Sequence, residues 1–387
     1  TTLTSTDLVR QLYLNNKFYG QIASLQYKKN KHQVIVGGGW STYEGGHYGQ
    51  IIWAKNGGID KDYRWYNLQA LKTDVNIYAK WQYQAGKNLY LFADLQYKYV
   101  MHRMDGFRNN PTLFINRSFD FVNPKLGATY SNNGWQVYAS YAMANKEPNR
   151  NDFEAGTLSQ PKAEQLNNVE VGIEKKKSNY SYGATFYYMG YKNQLVLTGK
   201  INDVGAYTRT NVPNSYRMGV EVEAGYIFTN WLQASGNISF SKNKIKNFVE
   251  YIDNYDNGLQ KEIDHTNTTI AFSPSVTSAL TITILPVKNV EISLLSKYVG
   301  KQFLDNSQSE NRTLGSFYTQ DARASYTLNN KLFKLVTFIA QVSNVFNRKY
   351  EPNGYTYSYV ASGTLNTENA YYPMAGINFM LGVNVKF

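Results

Sequence analysis

The chain has no cysteine, nine prolines and only four histidines in 387 residues. Without cysteine there is no disulfide staple, no thiolate metal site and no cysteine nucleophile, a composition suited to passage through an oxidising periplasm. The histidines, His32, His47, His102 and His265, form no H-x-x-H or H-E-x-x-H pattern. Their spacing supports no Ser/His/Asp set, so neither metal ligation nor catalysis is expected, and no cofactor is called for. No uninterrupted apolar run approaches the roughly 20 residues that a spanning helix needs, and mean hydropathy is −0.48. Helical insertion is thereby excluded, whereas a barrel, in which only alternate residues face lipid, is not. The net charge of +12 comes from basic residues scattered among tyrosines and carboxylates. With no basic helix and no Gly-rich RNA-binding signature, nucleic acid is not an expected partner. Gly37-Gly38-Gly39 lacks the downstream Lys-Ser or Lys-Thr of a phosphate loop and reads as a place where the strand curves or a neighbour approaches.

What the chain does have is a period of two, written over most of its length with 34 tyrosines. In the last segment Ile377, Phe379, Leu381, Val383, Val385 and Phe387 share one face, and Asn378, Met380, Gly382, Asn384 and Lys386 the other. Val75 to Tyr83 sets Val75, Ile77, Ala79, Trp81 and Tyr83 against Asp74, Asn76, Tyr78, Lys80 and Gln82. After the turn at Ala85-Gly86-Lys87-Asn88, Leu89, Leu91, Ala93, Leu95, Tyr97 and Tyr99 oppose Asp94, Gln96 and Lys98. Charges inside and apolar groups outside predict an all-β, transmembrane antiparallel β-barrel.

The pattern predicts about fifteen strands, near 18–29, 32–41, 68–84, 88–101, 118–130, 135–144, 166–176, 180–193, 210–227, 231–243, 268–284, 289–299, 317–328, 334–346 and 375–387. Connections alternate between short and long. Short ones, at Asn30-Lys31, Ser131 to Gly134, Lys177 to Asn179, Thr229-Asn230, Pro286 and Asn329-Asn330, carry turn residues and are assigned to the periplasm. Long ones, near 42–67, 102–117, 145–165, 194–209, 244–267, 300–316 and 347–374, are assigned to the extracellular side. An odd strand count cannot close as one antiparallel sheet, so the chain is expected to be the C-terminal part of a larger barrel domain spanning all of 1–387.

Four segments carry a resemblance. Pro161-Lys162-Ala163-Glu164 is followed by Val169-Glu170-Val171-Gly172, and Gly219-Val220-Glu221-Val222-Glu223 and Tyr298-Val299-Gly300-Lys301-Gln302 come later. Asn344-Val345-Phe346-Asn347-Arg348-Lys349-Tyr350 then precedes the terminal Asn384-Val385-Lys386-Phe387. In this order they resemble the TonB-dependent outer-membrane receptors. The resemblance implies a barrel of twenty-two strands with a plugged lumen, of which about seven N-terminal strands and the plug domain lie outside this chain. It also implies import driven by the TonB–ExbB–ExbD complex acting through the absent N-terminal region, and a setting of outer-membrane lipid and lipopolysaccharide.

Matched to the family, Glu170 and Glu221 fall where the barrel wall offers carboxylates to arginines of the plug. Their own alternation agrees, because Val169, Val171 and Ile173, like Val220, Val222 and Ala224, point outward. Glu170, Glu174, Glu221 and Glu223 must then face the lumen, where each is either hydrated or paired with the plug. Glu147 to Phe153 reads as a loop base shaped by Pro148 and the asparagines and held by Arg150. Ligand contacts are expected in the long loops, at Trp53, Tyr63, Arg64, Trp65 and Tyr66 and then His102, Arg103 and Arg108. Aromatic faces beside guanidinium groups suit planar anionic metal chelates, while the same rings could equally anchor at the membrane interface. The expected function is a receptor for a scarce nutrient, first a ferric siderophore. Haem, cobalamin, oligosaccharide and peptide stay open as ligands, and the alternatives are a passive porin and the barrel component of a surface uptake complex with a lipoprotein for glycan or peptide import.

Overall fold

Two-residue alternation becomes strand wherever β-branched and aromatic residues occupy one face, and the computed structural model, which describes residues 5–108, 110–155, 160–201, 207–328 and 333–387, bears this out. The strands are β1 (Leu8–Lys29), β2 (His32–Ala54), β3 (Arg64–Gln84), β4 (Leu89–Asp105), β5 (Phe114–Asn132), β6 (Trp135–Lys146), β7 (Glu164–Lys176), β8 (Tyr180–Ile201), β9 (Tyr207–Thr229) and β10 (Leu232–Asn254). They continue as β11 (Leu259–Thr269), β12 (Val276–Ile284), β13 (Val290–Val299), β14 (Gln302–Phe303), β15 (Thr313–Leu314), β16 (Phe317–Leu328), β17 (Leu335–Ser343), β18 (Asn353–Ala361), β19 (Thr364–Tyr372) and β20 (Asn378–Lys386). Among the described residues one short helix, α1 (Arg150–Ala155), interrupts them. No described helix is long and apolar enough to cross a membrane, which leaves the crossing to strands.

Fifteen of these twenty strands fall on the expected segments. The other five correct the expected loops. β18 and β19 form a hairpin within 347–374, β11 fills the end of 244–267, and β14 and β15 pair within 300–316. The expected strand 268–284 is broken between Thr269 and Val276, where Pro274 cannot donate to a ladder. The presumed loop 42–67 is mostly strand as well, since β2 runs to Ala54 and β3 starts at Arg64. At 23 residues β2 is about twice the 9–11 residues that cross a bilayer. Its far half therefore stands beyond the hydrocarbon.

The tight turns have the expected chemistry. Asn30 adopts φ 52°, and Asn133 and Gly134 adopt 48° and 75°, the paired positive values of a type I′ hairpin that asparagine and glycine tolerate best. The expected turn at Asn329-Asn330 lies outside the described residues.

The chain divides into two compact units. The first comprises Thr1–Ala85, Leu91–Leu126 and Ala142–Glu164; in it β2 pairs antiparallel with both β1 and β3. Close approach explains the three glycines, because a Cβ on Gly38 would lie 2.5 Å from the Asn76 carbonyl and one on Gly37 2.7 Å from the Tyr78 hydroxyl. The second comprises Gly86–Tyr90, Gly127–Tyr141 and Gln165–Phe387. There β7, β8, β9, β10, β12, β13, β16, β17 and β20 follow one another as antiparallel neighbours.

The apolar face of these strands is the open one. Leu95 is 55% exposed, Leu381 84% and Val385 42%, and so continuous an apolar surface is tolerable only against lipid. The opposite face carries ion pairs, Lys80–Asp94 at 3.5 Å and Lys98–Asp74 at 3.2 Å. Packed cores of the soluble kind occur where strands outrun the membrane. In the first unit Met104, Phe107, Ile115, Phe119, Phe121 and Phe153 cluster, and in the second Val196, Val212, Ile245, Phe248 and Ile270.

Candidate functional site

On the inner face of the second unit, register places the carboxylates in rows across β7, β8, β9 and β10. Glu170 is level with Tyr187, Gly219 and Ser241, and the next row holds Gly172, Thr185, Glu221 and Ser239. A third row holds Glu174, Gly183, Glu223 and Asn237. Glu170 and Glu221 line one cavity of 640 Å³ together with Arg217, Tyr138 and Tyr187, which Glu174 and Glu223 do not.

Two glycines make room for this arrangement. A Cβ on Gly172 would lie 2.2 Å from the Tyr138 ring and one on Gly219 2.7 Å from the Tyr187 hydroxyl. Each tyrosine thus lies flat over a glycine on the adjacent strand, which covers the bare backbone and fixes the ring. Tyr138 reaches across to hydrogen-bond Thr185 at 3.0 Å. Asn168 donates to Glu170 at 2.7 Å. Among the described residues no lysine, arginine or histidine pairs with Glu170, Glu174, Glu221 or Glu223. Arg217, four residues before Glu221, is turned to Asn243 and Ser273, donating at 3.3 and 2.9 Å. The wall therefore presents negative charge to whatever fills the space beside it.

In the first unit the far ends of β1, β2 and β3 form a ladder of rings and guanidinium groups. Tyr13 stacks on Tyr48 at 4.6 Å, and Arg64 lies over the Tyr48 ring at 3.7 Å. Arg10 lies 5.5 Å from the Trp65 ring, which meets Tyr66 edge-on at 5.4 Å. Of the expected ligand residues, Arg64, Trp65 and Tyr66 are brought together here. Trp53 and Tyr63 are exposed near the same strand ends. Tyr13, Tyr48 and Arg10 were not expected, although counting outward from the two-residue turn at Asn30-Lys31 places Tyr13 opposite Tyr48.

The other expected group separates. Arg108 is exposed and Arg103 pairs with Asp105 at 3.4 Å and flanks Phe114. His102 is buried against Phe119 and Phe153. Beside it, Glu147 accepts from Lys72 at 2.9 Å and from Lys98 at 3.2 Å. Burial would raise the Glu147 pKa, but the hydrogen bond from Lys72, a backbone N–H and the charges of Lys72 and Lys98 outweigh it and hold the pKa at about 2. The loop base is a capped helix. Asn149 accepts from the Asp152 N–H at 3.1 Å while Asp152 accepts from the Asn149 N–H at 2.8 Å, a reciprocal cap on α1. Arg150 lies over Phe107 at 4.6 Å and pairs with Glu154 at 3.8 Å. Among the described residues no group of three His, Asp or Glu side chains is arranged to hold a metal ion.

Strands with a lipid-facing apolar side, tight turns at one end and long hairpins at the other define an outer-membrane β-barrel. The chain belongs to the TonB dependent receptor-like, beta-barrel family, whose model matches residues 1–345. Among solved structures it is similar to the copper transporter OprC, with a TM-score of 0.71 and 14% identity over 97% of this chain and 57% of that one. It is also similar to the siderophore receptor PiuA from Acinetobacter baumannii, at TM-score 0.70 and 14% identity over 97% and 56%. A third is the ferric yersiniabactin uptake receptor FyuA from Yersinia pestis, at 0.65 and 14% over 97% and 55%. At such identities the likeness is one of fold. The chain spans a little over half the length of these structures. No curated protein matches it.

Proposed function

We propose that this chain is the barrel wall of an outer-membrane receptor that captures an anionic metal chelate, first a ferric siderophore, with its outer hairpins. The observation that carries the reading is the ladder of Tyr13, Tyr48 and Arg64 beside Arg10, Trp65 and Tyr66. Rings held parallel with guanidinium groups over their faces bind flat, electron-rich, negatively charged ligands by stacking and charge-assisted bonds. Trp53 and Tyr63, exposed near the same strand ends, extend this surface. No covalent bond changes in such a role.

Import requires a gate, and Glu170 and Glu221 are the groups proposed to hold it. Arginines of a plug domain would satisfy them, with Glu174 and Glu223 one row away as auxiliary contacts. Energy would come from the TonB–ExbB–ExbD complex acting on the segment that precedes the barrel. The full-length receptor in planar bilayers tests this assignment. Replacing Glu170 and Glu221 together by alanine is expected to raise ion conductance severalfold by loosening the plug. Unchanged conductance would remove both residues from that role, and free passage of small sugars through liposomes carrying the unaltered receptor would favour a porin.

A further inference from the structure

At the tight-turn end of the first unit, the apolar face of β1, β2 and β3 finishes in a stack of three rings. Register puts Lys29, His32 and Tyr83 in one row and Tyr27, Val34 and Trp81 in the next, on the same face as Val36, Trp40 and Ile77. The His32 and Tyr83 rings lie 4.6 Å apart and the Trp81 and Tyr83 rings 5.6 Å apart, with interplanar angles of 18° and 7°. The Trp81 indole N–H donates to Nδ1 of His32 at 3.1 Å. An indole nitrogen can only donate, so Nδ1 is the bare nitrogen of the imidazole and the proton sits on Nε2. That N–H has no partner among the described residues, and His32 is exposed.

Around this stack the charge is of one sign. Lys28, Lys29 and Lys31 are exposed, and none makes an ion pair or a side-chain hydrogen bond among the described residues. β1 has no acidic residue. The acids nearest the turn on β2 and β3 are Glu44, which accepts from the Tyr19 hydroxyl, and Asp74, which pairs with Lys98 at 3.2 Å. Unpaired ammonium groups and an N–H donor, set beside exposed rings on the lipid side of a strand end, fit a negatively charged oxygen cluster at the depth of the membrane surface. Short turns lie on the periplasmic side of outer-membrane barrels, and the glycerophospholipids there carry phosphodiester headgroups. We propose that this end of the sheet binds the headgroup of an anionic glycerophospholipid. A phosphate oxygen accepts from the Nε2 N–H of His32, the ammonium groups of Lys29 and Lys31 surround it, and an acyl chain lies along Tyr27, Trp81 and Leu25. Rings at this depth anchor a barrel in any lipid, whereas each lysine favours a negatively charged surface by about fivefold. Lys28 falls on the opposite face of β1 and adds only to the field. The site lies at the other end of the strands from the aromatic ladder and does not depend on the chelate reading.

The test is native mass spectrometry of the full-length receptor in detergent, titrated with phosphatidylglycerol as the probe. Zwitterionic phosphatidylethanolamine, lipopolysaccharide and inorganic phosphate are the comparisons. Phosphatidylglycerol is expected to bind about tenfold tighter than phosphatidylethanolamine, and inorganic phosphate is expected not to displace it. Replacing Lys29 and Lys31 together by glutamine is expected to remove most of that preference, about tenfold. His32→Phe keeps a ring in the stack and removes the N–H, and is expected to weaken phosphatidylglycerol binding about fivefold. Lys288→Gln, at an exposed turn lysine of the second unit, is expected to leave that binding unchanged. Heat-modified mobility on gels verifies that each variant is folded. Headgroup binding at this site is refuted if the two phospholipids bind alike, or if lipopolysaccharide or free phosphate displaces phosphatidylglycerol. It is equally refuted if either folded variant of the site binds as the parent does, or if Lys288→Gln weakens binding as much as the double replacement.

Discussion

Replacing Glu147 by glutamine isolates one charge at the base of an outer loop. The carboxylate accepts from Lys72 and Lys98, and Lys98 is shared with Asp74 at 3.2 Å. Lowering its pKa from 4.5 to about 2 corresponds to roughly 3 kcal/mol of interaction in the folded form. Solvent reaches part of Lys72, which reduces the usable figure to about 2 kcal/mol. Because the folded pKa lies below the unfolded one, this stability is fully present above about pH 4.5 and is lost as pH falls through about 2. Hydrogen exchange of residues 147–155, corrected for intrinsic rates, reads the effect directly. At pH 7 Glu147→Gln is expected to exchange about tenfold to a hundredfold faster than the parent. Between pH 5 and 2 the parent should lose protection while the variant stays nearly flat. Equal exchange at pH 7, or the same loss of protection on acidification in both proteins, would refute the reasoning.

Two further outcomes follow from the same geometry. Phe153→Ala empties a fully buried ring site between His102 and Phe107 and is expected to cost about 3 kcal/mol locally. It should appear as lost protection of α1 at every pH, and intact protection would show that the cluster does not hold the loop. Replacing Arg64 and Trp65 together by alanine is expected to weaken capture of a ferric catecholate by about tenfold to a hundredfold in titration calorimetry; unchanged affinity would move the ligand site elsewhere.

The sequence was most legible where one residue type repeats a simple physical rule. Apolar residues at alternate positions face lipid along the whole strand, so the period of two located fifteen strands and the facing of Glu170, Glu174, Glu221 and Glu223 without any structure. It said less about the outer hairpins. There both faces are polar or aromatic, the alternation that separates lipid from water is lost, and segments such as Tyr355 to Val360 look like loop although they pair in a ladder.

Sequence alone thus determined the membrane-spanning architecture and the alternation that separates the lipid-facing residues from Glu170 and Glu221, because these depend on neighbours in the chain and on the solvent each face meets. Tertiary structure decided what register and folding back bring together. It set Glu170 and Glu221, but not Glu174 and Glu223, on one cavity, placed Tyr13 and Tyr48 under Arg64, and buried His102. Contacts between residues tens or hundreds of positions apart are fixed by register across the ladder and by packing, and no local pattern records them.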